Sequence, residues 1–128
     1  MSRARHAKKP VLGDKVSMAK VRYYGVGPRK VRMVADLIRG LTVAQAEHQL
    51  MVLHKPSGAP IIHRLLKSAM SNANQNAEQK HQPEDLIVGT ICVDSGPFQR
   101  RFQPAPMGRA LPIRKRTSHV TDELYTQV

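Results

Sequence analysis

The sequence predicts an α+β fold: a small three-helix body packed on a three-stranded antiparallel sheet, from which a long β-hairpin protrudes. Three observations lead there. The hydrophobic pattern runs in the order strand, three helices, strand, long connection, strand, with no internal repeat. The connection "GPFQRRFQPAPMGRALPIRKRTSH" (96–119) holds six basic residues, four prolines and no acid, and it has no apolar repeat that could join a core. The strands flanking it are consecutive in sequence, and consecutive strands tend to pair.

The first 15 residues, "MSRARHAKKPVLGDK", read as a basic, flexible N-terminal arm. They lack the apolar segment of a secretory signal and the serine content of a transit peptide. A single domain is expected over 16–128, with 94–119 as the extended hairpin. "VSMAKVRYYG" (16–25) alternates, placing Ala19, Val21 and Tyr23 on one face and Lys20, Arg22 and Tyr24 on the other, which predicts a strand with a basic outer face. Gly27 and Pro28 then suit a helix start.

In "PRKVRMVADLIRG", Val31, Val34, Ala35 and Ile38 recur at i, i+3, i+4 and i+7 and predict one buried stripe. Arg29, Arg32, Asp36 and Arg39 fall opposite, where Asp36 can pair with Arg32 or Arg39. Gly40 suits the helix C-terminus. Thr42 and Gln45 form a capping box for a second helix through Ala44, Ala46, Leu50, Met51 and Leu53. A third helix starts near Pro60 and buries Ile62, Leu65, Leu66, Ala69, Met70 and Ala73. It is expected to fade in "SNANQNAEQKHQPED". "DLIVGTICVD" is the clearest strand and apolar enough to be central in the sheet, with Cys92 as a core thiol. "LPIRKRTSHVT" extends again after the proline-rich tip, and "DELYTQV" is too polar to assign.

The net charge is +12, with pI ≈ 10.6, which points to a polyanionic partner. Residues 1–40 carry eleven Lys/Arg against two acids, 41–90 carry four of each sign, and 91–128 carry six bases against three acids. A neutral middle thus lies between two basic ends. As arms of a hairpin, the 96–119 segment would reach on the order of 40 Å at ~3.3 Å per residue. Arg100, Arg101, Arg109, Arg114, Lys115 and Arg116 would line it. Such an arm repels itself in water, and polyphosphate stabilises it by counterion release. Folded RNA offers phosphate-lined crevices for an extended arm, whereas a regular duplex does not, so RNA is favoured over DNA. With five aromatic residues and no RNA-recognition motif, binding by shape and phosphate is expected.

Other chemistry finds little support in the residues. The lone cysteine forms no disulfide framework, and the six histidines show no zinc-ligand spacing with it. The acids show no paired arrangement and no nucleophile–base constellation exists, so no enzyme, cofactor or metal is expected. No apolar run approaches the ~20 residues of a membrane span. An alternative is a free-standing basic nucleic-acid-binding regulator. "TVAQAEHQLMVL" carries no Lys or Arg, however, and makes a poor recognition helix.

"RKVRMVADLIRG", "SAMSNANQN", "VDSGP" and "GRALPIRKRTSH", in that order, resemble the bacterial-type large-subunit ribosomal protein L-twenty-two family. The resemblance runs from about Arg22 to His119. It implies an α+β body on the outer face of the large subunit, with large-subunit rRNA and neighbouring ribosomal proteins as partners, on a cytoplasmic or organellar ribosome. It also implies a structural role in subunit assembly, and a hairpin that lines the polypeptide exit tunnel and meets the nascent chain. Carried onto this chain, the rRNA-binding residues would be Arg22, Arg29, Lys30, Arg32, Arg39, Arg100, Arg101, Arg109, Arg114, Lys115, Arg116, Thr117, Ser118 and His119. The tunnel-lining tip would be Gln103, Pro104, Ala105, Pro106, Met107 and Gly108. Three departures stand out: a less basic tip, a longer N-terminal arm, and a C-terminus without the β-branched run, whose strand is expected to end early.

Overall fold

The computed structural model describes residues 11–127. Its elements are β1 (Leu12–Tyr24), α1 (Pro28–Ile38), α2 (Val43–Val52), α3 (Ala59–Asn76), β2 (Leu86–Ser95), β3 (Gln99–Pro104), a short 3-10 turn (Pro106–Gly108), β4 (Ala110–Lys115) and β5 (Ser118–Gln127). β1, β5 and β2 form an antiparallel sheet in that order, and β3 pairs with β4 as a separate two-stranded ribbon. The three helices cover one face of the sheet, as the α+β expectation required.

The helix stripes follow the 3.6-residue period. Val31, Val34, Ala35 and Ile38 of α1 are buried, as are Ile62, Leu65, Leu66, Ala69 and Ala73 of α3. The Thr42–Gln45 capping box forms, and Gly40 takes a left-handed φ of 85° just after α1. α2 buries Val43, Ala46 and Leu50, while Met51 is 69% exposed. α3 ends within the polar stretch 71–85, at Asn76. Two polar side chains in that stretch find partners: Asn72 Nδ2 donates to Met18 O at 3.1 Å, and Asn74 Oδ1 accepts from His81 N at 2.9 Å.

The sheet departs from the sequence reading in several ways. β5 is central and β2 is an edge. β2 can be apolar on an edge because its free side is covered. Gly40 N donates to Val88 O at 2.8 Å, and Val88 N donates to Leu41 O at 2.9 Å. Arg32 Nε donates to Val93 O at 3.0 Å, and Arg39 Nη2 donates to Ile91 O at 2.9 Å. Covering an edge in this way blocks further strand pairing. β5 does not end early; it reaches Gln127, and Ser118, Val120, Asp122 and Leu124 turn into the core at period two. β1 starts at Leu12, which pairs with Gln127, so the last residues assigned to the N-terminal arm belong to the sheet. Residues 1–10 of that arm lie outside the described residues. Cys92 is exposed on the open face of the sheet, where β2 alternates, and is not a core thiol.

Candidate nucleic-acid interface

The hairpin grows directly out of the sheet. Asp94 pairs with His119 and Ser95 with Ser118 at the last β2–β5 rungs. A short break follows, and the ribbon resumes from Gln99↔Lys115 to Pro104↔Ala110. The extension read as one strand from Leu111 is therefore two, β4 and β5, divided at Arg116 and Thr117. The break is held by specific contacts: Gly96 N donates to Thr117 O at 2.9 Å, and Thr117 Oγ1 donates to Pro97 O at 2.6 Å. A Cβ at Gly96 would overlap Thr117 Oγ1 and sit 3.3 Å from the His119 ring, so any larger residue has to push one of them aside.

Beyond the break nothing among the described residues packs behind the ribbon. Every residue of β3 is exposed, as is every residue of β4 except the half-buried Ile113. Arg100 lies directly opposite Arg114, an arrangement that is destabilising in water. Phe98 partly offsets it, since the guanidinium carbons of Arg114 and Arg100 lie 5.3 and 6.0 Å from its ring centroid. Arg101 is bonded along its own strand, to Arg100 O and to Gln99 Oε1. Phe102 and Leu111, 72% and 55% exposed, leave apolar surface on a ribbon that water alone does not favour.

At the tip, Ala105 N donates to Arg109 O at 2.8 Å and closes the turn. Met107 and Gly108 both take left-handed backbone, with φ 63° and 68°. Glycine adopts this freely, whereas methionine does so at a cost of roughly 1–2 kcal/mol. Met107 is also 94% exposed, so the tip presents an apolar side chain outward between Gln103 and Arg109.

The remaining predicted residues divide into two groups. Arg22, Arg29, Lys30 and Arg116 are exposed near the hairpin root, and Gly27 at the start of α1 lies beside Arg116. The helix therefore starts next to the ribbon, with Gly27 supplying no side-chain cap to the first N–H groups. The second group has structural tasks. Arg32 and Arg39 hold the β2 edge, and Arg39 also pairs with Asp36 at 2.6 Å. Thr117 fastens the break. Ser118, expected among the rRNA-binding residues, is fully buried. His119 Nδ1 accepts the Tyr23 N–H at 3.0 Å.

Two aromatic residues escaped the sequence reading. Tyr23 was expected inside and Tyr24 outside. A register irregularity between Val21 and Tyr24 reverses them, leaving Tyr23 65% exposed with φ 56° and Tyr24 half-buried with its hydroxyl on Ser57 O. No local signal announces such a bulge. Phe98 could have been noticed, since it stands two residues before Arg100 on a β-spacing. Among the described residues, no cluster of His, Cys, Asp and Glu could hold a metal ion, and no helix is long and apolar enough to cross a membrane.

Comparison with known proteins agrees with this geometry. A model of the family described as Ribosomal protein L22p/L17e matches residues 19–124. The chain is 43% identical over 104 residues to the large ribosomal subunit protein uL22 of Myxococcus xanthus, covering 81% of this chain and 90% of that protein. It is 47% identical over 102 residues to uL22 of Herpetosiphon aurantiacus, covering 79% and 87%. Against uL22 of Porphyromonas gingivalis it is 43% identical over 103 residues, covering 80% and 76%. The matched span takes in all three helices, the hairpin and most of the sheet, and the chain belongs to the Ribosomal protein L22p/L17e family.

Proposed function

We propose that this protein is a structural constituent of the large ribosomal subunit that binds large-subunit rRNA and supports subunit assembly, without catalysis. The observation that carries the reading is the β3–β4 ribbon. It is exposed along its length and has Arg100 facing Arg114, a repulsion that bound phosphate would relieve. The body and the root of the ribbon, with Arg22, Arg29, Lys30, Arg114, Lys115 and Arg116, sit against rRNA. Arg100, Arg101 and Arg109 follow the ribbon inward, and Arg32 and Arg39 add charge from the rim of α1 while holding the β2 edge. The tip, Gln103 to Gly108, lines the exit tunnel and meets the nascent chain with Met107 foremost. Neighbouring ribosomal proteins complete the setting, on a ribosome of the cytoplasm or an organelle.

The test is the double substitution Arg114→Ala with Arg116→Ala, assayed by filter binding to large-subunit rRNA across a salt series. Losing two phosphate contacts reduces the slope of log affinity against log salt by about 1.5. Affinity at low salt falls, and incorporation into subunits falls with it. Unchanged binding at physiological salt would remove the ribbon root from the interface.

A further inference from the structure

The open face of the sheet at the hairpin root carries an arrangement that phosphate binding does not explain. The bulge in β1 turns Tyr23 outward and holds it there in left-handed backbone. Its N–H donates to His119 Nδ1 at 3.0 Å, and the two rings meet edge to face, with centroids 4.9 Å apart at 89°. An exposed aromatic fixed by strain and two contacts is a built feature, and strain of this kind gathers at binding sites. Because Nδ1 accepts, the Nε2 of neutral His119 carries the ring proton and is a donor.

Beside this ring lies a polar recess of about 220 Å³, lined by Lys20, Arg22, Tyr23, Asp94, His119 and Thr121. It is smaller than the roughly 300–1,000 Å³ of sites for whole drug-sized ligands. Its size suits one planar ring system. Asp94 stands on the rung beside His119, is exposed, and forms no ion pair or side-chain hydrogen bond among the described residues. A carboxylate in a phosphate-binding surface repels phosphate, yet it has two acceptor oxygens for paired N–H donors.

We propose that this recess takes one unpaired RNA base, stacked on Tyr23 and read at its edge by Asp94, and that the base is guanine. Aromatic side chains stack on bases splayed out of folded RNA. Of the four bases, guanine presents two adjacent donors, N1–H and N2–H, on its Watson–Crick edge, and a carboxylate matches both. Lys20 and Arg22 hold the flanking phosphates. The hairpin root would thereby be fixed in register on the RNA, a task that diffuse charge along the ribbon cannot perform. This site rests on the rRNA-binding function proposed above.

The full-length chain is bound to large-subunit rRNA, and unpaired guanines are probed with kethoxal, which reacts at N1 and N2. The wild-type protein shields one guanine that becomes reactive with Tyr23→Ala and with Asp94→Asn, while Tyr23→Phe keeps it shielded. Affinity drops roughly tenfold or more for Tyr23→Ala with an unchanged salt slope, because a stacking contact releases no counterion. Asp94→Asn, on an exposed position, provides the readout if Tyr23→Ala fails to fold. Tight binding with the same kethoxal pattern in wild type and Asp94→Asn overturns the site and leaves the rRNA-binding function standing. A wild-type chain that does not bind the rRNA overturns that function, and the base site with it.

Discussion

Asp122 stands on the core face of the central strand, 1% exposed, and neither carboxylate oxygen has a hydrogen-bond partner among the described residues. Burial pushes its pKa up from 3.8 to about 7; the Glu123 amide nearby tempers the shift, and the Glu123 charge adds to it. The folded state therefore holds this proton more tightly than the unfolded chain. Below the unfolded value the group is neutral in both states and adds no charge penalty. Stability is lost as pH rises from there to about 7, and the loss is complete above it. At 1.36 kcal/mol per unit, the full effect is on the order of 4 kcal/mol. Asp122→Val removes the penalty with a side chain suited to a strand. Urea titrations of the free protein should show the variant gaining on wild type between pH 4 and 7.5. A gap that stays flat with pH would show that the carboxyl is solvated. Gly96 makes the second prediction at this scale. Gly96→Ala forces Thr117 or His119 aside and should destabilise the root by roughly 1–3 kcal/mol. Gly25→Ala, with nothing within 4 Å, should be near neutral in the same thermal melts. Neither residue's role was legible in advance. Alternation puts Asp122 on the face of Val120 and Leu124, but a carboxylate at that position argues against a core face, and Tyr23 changed face through a bulge that leaves no trace in composition.

The helices were the most legible elements, because apolar residues at i, i+3, i+4 and i+7 line one side of a helix and would scatter over both faces of a strand, as Val31 to Ile38 illustrate. Strand order was less so. β2 looked central because it is apolar throughout, but that character reflects Ile87, buried opposite Tyr125, and an edge covered by Gly40, Leu41 and the two α1 arginines. The second half of β5, from Asp122 on, looked unassignable because Asp122 occupies a core position that would ordinarily be apolar. The hairpin was legible from chemistry rather than periodicity: a segment of six bases, four prolines and no acid has no place in a core. Two-stranded ribbons are marginal in water, and this one also opposes two arginines. In the free protein, amides of β3 and β4 should exchange orders of magnitude faster than those of β5, whereas in purified subunits they should become protected. Equal protection of β3 and β5 in the free chain would mean that the ribbon needs no RNA to form.

Across the whole molecule, charge and structure are divided in the same way. The neutral stretch 41–90 supplies α2, α3 and the start of β2, while the excess of basic residues is shared among positions 1–10, β1, α1 with Arg39 after it, and the ribbon. The body is thus a conventional two-layer core, and the ribbon is a polar extension whose partner lies outside the chain. Composition alone indicated that partner. What composition could not convey is that α1 begins beside Arg116, which brings the start of the helix and the ribbon root together. A ribbon that inserts between RNA elements, as proposed above, would be held by topology as well as by charge. That insertion is tested most directly by washing large subunits in high salt, sedimenting them, and following this chain. Contacts made by charge alone weaken steeply with salt. The protein should remain with the subunit at salt concentrations that strip loosely bound basic proteins; release into the soluble fraction would contradict the inserted ribbon.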